Sequence, residues 1–220
     1  MLRNKRTRHE QLSTLNAGLA ELCGLAGDAM QRATGALLDG DLALTDQVIA
    51  DHDHVIAMKA RTEEDAFVLL ALRAPVAGEL RVVVSSIQTA ADVERMSALA
   101  TQVANIVRDR HPCPAVPNEV RTHFAQMGQL AVRLGHRAQQ VIISGDPRTT
   151  AHIRHDDDAM DTLHRQLMMV LMRRRWYLSA TAAVDITLLG HLYERFGDHA
   201  VAIGRRVVFQ PRPAGMWAPA

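Results

Sequence analysis

Apolar residues return every three or four positions along most of this chain, the spacing that lays them on one face of an α-helix. From His9 to Leu38 the positions Leu12, Leu15, Leu19, Leu22, Met30 and Leu37 trace such a stripe. The segment DGD at 39–41 breaks it, and Asp41 is suited to cap a second helix. That helix runs to Leu72 and stops at RAPVAGE, where Pro75 and Gly78 interrupt the pattern. A third covers Glu79 to Asp109. HPCPAVPNE follows, and its prolines at 112, 114 and 117 mark a linker. Beyond it the spacing predicts helices over Glu119–Ser144 and Pro147–Arg174, then a sixth that follows RWYLSAT and ends at Val208. The tail FQPRPAGMWAPA reads as irregular.

Sliding the halves against each other reveals a duplication. ALLDGD (36–41) aligns with VIISGD (141–146) at an offset of 105. ADVERMSALATQVANIV (91–107) aligns with HLYERFGDHAVAIGRRV (191–207) at an offset of 100, anchored by Glu94-Arg95 and Glu194-Arg195. The five-residue difference falls in the turn between the second and third helices. The expectation is an all-α fold of two tandem antiparallel three-helix bundles, 9–110 and 119–208, with a linker at 111–118 and a tail at 209–220.

Composition agrees with helices: 48% of the residues are hydrophobic but only 4% aromatic, a poor supply for β-sheet. A formal net charge of +1 gives no broad field for nucleic acid. Cys23 and Cys113 form no CxxC pattern and read as ordinary thiols of a reducing compartment. No apolar run is long enough to span a bilayer. The basic start MLRNKRTRHEQL lacks the apolar stretch of a secretory signal. It reads as a solvated basic arm, with contact to an anionic membrane surface as the alternative. These features place the chain in the cytoplasm.

The candidate chemistry lies in carboxylates spaced four apart. At about 100° per residue, Leu192, Phe196, His199 and Ile203 form the core stripe of the sixth helix. Glu194 and Asp198 fall on its polar side with Thr187, His191 and Arg205, although like charges at this spacing repel. On the fifth helix Asp157 and Asp161 repeat the arrangement, away from Leu163, Leu167 and Leu171. Two such pairs on adjacent helices suit a hard or intermediate cation such as Mg²⁺, Mn²⁺ or iron, with His191 as a further donor. The alternative is two solvated acidic faces, with Asp198 neutralised by Arg195 or Arg205. In the first half the offsets pair Asp157 with His52, Asp161 with Ile56, Glu194 with Glu94 and Asp198 with Ala98. A metal site, if present, therefore belongs to the second half. Glu63, Glu64 and Asp65 read as a wet helix face, and His52, Asp53 and His54 as solvated residues. No P-loop, dinucleotide glycine fingerprint or G-x-S-x-G elbow occurs, and the expectation is a protein without catalytic residues. The basic run at 173–175 suits an anion or a partner's acidic surface, or equally the negative end of a helix.

LLALRAPVAGELR (69–81), ADVERM (91–96) and YERFGDHA (193–200) together resemble the PhoU family, across roughly residues 9–209 and including the duplication. The wording is similar to the mycobacterial-type branch. The resemblance implies paired three-helix bundles, usually dimeric, acting as a cytoplasmic negative regulator of the phosphate-starvation response. It implies two partners, the ATPase subunit of a phosphate ABC transporter and a sensor histidine kinase, with the membrane reached only through them. Surface metal held by E/D-x-x-x-D motifs is also implied. By position that role falls on Asp157, Asp161, Glu194 and Asp198, while Glu94 keeps half of its motif because Ala98 replaces the second acid. Arg73 and Arg81 bracket the Pro75 turn as a candidate partner contact, unless that turn merely joins two helices. The competing classes are a carboxylate-bridged metalloenzyme and a helical scaffold unrelated to phosphate. The former sets Glu and Glu-x-x-His motifs toward a bundle interior.

Overall fold

The computed structural model describes residues 2–73, 77–172 and 179–209. Within them the chain forms α1 (Leu2–Asp39), α2 (Leu42–Arg73), α3 (Ala77–Arg110), α4 (Asn118–Ser144), α5 (Pro147–Leu171) and α6 (Ala180–Val208). The fold is all-α, two antiparallel three-helix units in tandem. Helix α1 starts at Leu2, before the His9 expected from the apolar stripe. Lys, Arg, Leu and Gln are good helix formers, and no glycine or proline stands in the way.

The duplication holds at the level of single contacts. Gly40 and Gly145 both end their helices in the left-handed region, at φ 68° and 62°. Each is followed by an aspartate that caps the next helix. Asp41 Oδ1 accepts from the Leu44 N–H at 3.0 Å, and Asp146 Oδ1 from the Arg148 N–H at 2.9 Å. Arg32 pairs with Asp51 at 2.8 Å, and Arg137 with Asp156 at 2.5 Å, each 105 positions on.

The two units do not stand apart. One core cluster runs from Leu19 and Met30 on α1 through Met96 on α3 and Phe124 on α4 to Phe196 on α6. Helices α1 and α4 cross closely through glycine: a Cβ on Gly135 would stand 2.8 Å from the Gly27 Cα, and one on Gly128 2.4 Å from the Thr34 Cγ2. Helices α3 and α6 are joined by charge. Asp92 accepts from Arg206 at 2.7 Å and lies 3.0 Å from His199 Nδ1, while Arg110 grips Asp185 with two hydrogen bonds. The proline-rich connector is anchored as well, since Ala115 and Val116 are buried in the shared core. The first unit is longer, with α2 at 32 residues against 25 for α5. Its extra length carries a small satellite core of Leu12, Leu15, Ala66, Leu69, Val82 and Val83.

Candidate metal groove

Helix α6 carries Gly190, Gly197 and Gly204 at seven-residue intervals, two turns apart and therefore on one stripe. Helix α5 sets His164, Asp157 and Thr150 against that stripe at the same interval. A Cβ on Gly197 would stand 2.6 Å from the Asp157 Oδ1, and one on Gly190 3.1 Å from the His164 Cδ2. Thr150 donates to the Gly204 carbonyl at 3.3 Å. The missing side chains thus let the two helices approach, and they draw Asp157 down over the α6 backbone.

This changes the geometry expected from the helical wheel. The acids do not simply project into solvent: Asp157, Asp161 and Glu194 are half-buried in the α5–α6 groove, and only Asp198 is exposed. Neither Arg195 nor Arg205 makes an ion pair with Asp198 among the described residues. Partial burial, then the charges of Asp161 and Asp198, push Asp157 up to about 6. Partial burial followed by the Glu194 charge likewise raises Asp161. Arg205 and Arg165 offset these effects without cancelling them.

Glu194 is held by two imidazoles, with His191 Nδ1 at 3.0 Å and His164 Nδ1 at 3.5 Å from its Oε2. His164 is the residue the sequence did not single out. The one signal for it was its offset partner, Lys59. Glu94 stands apart from this groove, on the opposite unit, 3.8 Å from Lys59. Among the described residues no three of His, Cys, Asp and Glu are already gathered closely enough to hold an ion. The donor chemistry nevertheless fits one: carboxylate oxygens are hard ligands, and a glycine cradle seats Asp157 against its own electrostatic cost.

Asp157→Asn tests that cost. The folded value of Asp157 lies above the ordinary 3.8, so its ionisation works against folding and stability falls as pH rises from about 4 to about 6. The half-exposed position keeps the effect small. In chelator at pH 7 the variant melts higher by up to about 2 °C. By pH 4 the difference disappears in a thermal scan.

Of the partner-contact candidates, Arg81 is exposed in the first turns of α3, beside exposed Leu80 and Val84. Pro75, the Arg73 side chain and the run at 173–175 lie outside the described residues. No helix among the described residues is long and apolar enough to cross a membrane.

Comparison with known proteins places these features. The PhoU domain profile matches residues 19–107 and 124–207, one match in each unit. The phosphate-specific transport system accessory protein PhoU homolog 2 of Mycobacterium tuberculosis is 59% identical over 202 residues, 92% of this chain and 95% of that protein. Homolog 1 of Mycobacterium leprae is 58% identical, covering 92% of this chain and 91% of that protein. The crystal structure of PhoU from Pseudomonas aeruginosa superposes with a TM-score of 0.80 at 22% identity, over 91% of this chain and 97% of that one. The phosphate transport system regulatory protein PhoU of Streptococcus pneumoniae gives 0.81 at 19%, over 92% and 96%. Two profile matches, near-full-length relatives and the shared fold agree: this chain belongs to the PhoU family.

Proposed function

We propose that this protein is an accessory and negative regulator of phosphate transport, a non-catalytic adaptor joining the ATPase subunit of a phosphate ABC transporter to a sensor histidine kinase. The observation that carries the reading is the near-full-length identity to accessory proteins of the phosphate-specific transport system. The adaptor works in the cytoplasm as a homodimer and reaches the membrane through its partners. Binding one state of the transporter more tightly than another biases that state, and the kinase reads the bias. The α2–α3 end, with Arg73, Pro75 and Arg81, supplies one contact.

The α5–α6 groove adds a ligand to this adaptor. Asp157, Asp161, Glu194 and Asp198 would hold a divalent cation or iron, with His191 steadying Glu194. The ion would relieve the repulsion that raises Asp157 and Asp161 and lock α5 to α6. Removing it leaves the fold intact but the groove strained.

Deletion of the gene tests the regulator directly. Phosphate-starvation genes then become expressed in phosphate-rich medium, and a tagged chain recovers the transporter ATPase and the kinase in amounts that differ between high and low phosphate. Full repression in the deletion strain overturns the reading.

A further inference from the structure

The first unit keeps one glutamate of the second unit's acidic face, Glu94 for Glu194, and exchanges the residues around it. Offsets that map His164 onto Lys59 and Glu194 onto Glu94 also map their contact: His164 faces Glu194 at 3.5 Å, and Lys59 faces Glu94 at 3.8 Å. Lys59 Nζ lies in addition 3.5 Å from Glu63, where the second unit has Met168. The remaining positions lose their acids. His52 stands in place of Asp157 and bonds Ser97 at 3.0 Å, while Ile56 and Ala98 replace Asp161 and Asp198. The α2–α3 face therefore holds two carboxylates around an ammonium carried on the chain. The α5–α6 groove holds four around no lysine at all.

We propose that Lys59 is a tethered cation: its ammonium occupies, on the α2–α3 face, the place that a free cation takes in the α5–α6 groove. The inference rests on the cation reading of that groove and deepens it. A side-chain ammonium is always present at its site, whereas a free ion is present only when its concentration allows. The α2–α3 face consequently keeps its cation at every metal concentration, and the α5–α6 groove only conditionally. A duplicated molecule thereby offers one constant surface and one that reports the cation. Residue 59 or 164, the neighbour that the facing helix gives the shared glutamate, is the specificity-determining position of each face.

The test titrates Mn²⁺ into the full chain, following free ion by its paramagnetic resonance signal and stability by thermal melting, with a chelator as the metal-free reference. In the wild type Mn²⁺ binds and raises Tm. His164→Lys installs the tethered cation in the second unit, so Mn²⁺ affinity falls by about tenfold or more. Its chelated form melts above chelated wild type. Lys59→Ala removes the tether from the first unit. Its chelated form melts lower, and Mn²⁺ raises its Tm by more than it raises that of wild type. Wild-type Mn²⁺ affinity in His164→Lys overturns the proposal. Should wild type bind no Mn²⁺, the cation reading of the second unit fails. The Lys59 inference then rests on the Lys59→Ala arm: a Mn²⁺-dependent rise in Tm supports it, and an unchanged Tm overturns it. Far-UV circular dichroism verifies that each variant is folded before titration.

Discussion

Truncating Tyr193 to alanine lowers the free energy of unfolding by about 4 kcal/mol, read from the midpoint shift in urea denaturation. The ring is completely buried and meets Phe124 of α4 with centroids 5.9 Å apart. Its hydroxyl reaches across to α1, 2.7 Å from Thr34 Oγ1. Thr34 already donates its hydrogen to the Met30 carbonyl, so Tyr193 is the donor in this contact. Burial pushes the phenol above its ordinary range, so it stays protonated and able to donate. One side chain therefore ties α6, α4 and α1 together, and its removal opens a cavity at the junction of the two units. Tyr193→Phe keeps the ring and leaves only Thr34 without its donor, for a smaller loss of about 1 kcal/mol. Equal losses in the two variants would place the weight on the hydrogen bond instead of the packing.

Arg206→Ala costs about 3 kcal/mol by the same measurement, because it leaves Asp92 buried with His199 as its remaining partner. Burial works against the Asp92 charge, but the hydrogen bonds from His199 and Arg206 outweigh it and hold the carboxyl below its ordinary range. The stability this carboxylate contributes is thus fully present above the ordinary aspartate value and lost as pH falls through the depressed folded value. In Arg206→Ala the loss begins at higher pH, since the folded value rises when the guanidinium goes. A wild-type acid-unfolding profile in this variant would mean that Asp92 does not hold α3 to α6.

The helices, their order and the duplication were legible in the sequence because each has a periodic signal. Apolar stripes mark the helices, and DGD with SGD mark equivalent turns. The shared core was not legible. Its closest seam, where Gly27 meets Gly135 and Thr34 meets Gly128, is built of small residues that add almost nothing to an apolar stripe. The early start of α1 was missed for a related reason, since a helix of charged residues has no apolar period to show. In the candidate site, spacing pointed to four carboxylates but not to the partial burial of Asp157, Asp161 and Glu194. A helical wheel treats the neighbouring helix as absent, whereas Gly190 and Gly197 let α5 approach closely enough to cover Asp157 and seat His164. A lone histidine carries no spacing signal of its own. Comparison with Lys59 in the other unit is what gives it meaning.

The buried connector decides where this chain tolerates being cut. Ala115 and Val116 sit in the shared core, so new ends at 115–116 would pull two apolar side chains from a packed site. Gly145 is buried, but the equivalent turn at Gly40 lies at the surface between exposed Asp39 and Asp41. A circular permutant or a split pair of fragments is best opened there, even though a proline-rich stretch between repeats looks like the natural seam. The two repeats are therefore poor candidates for separate expression: each would expose the α1 and α3, or α4 and α6, surfaces that the other covers.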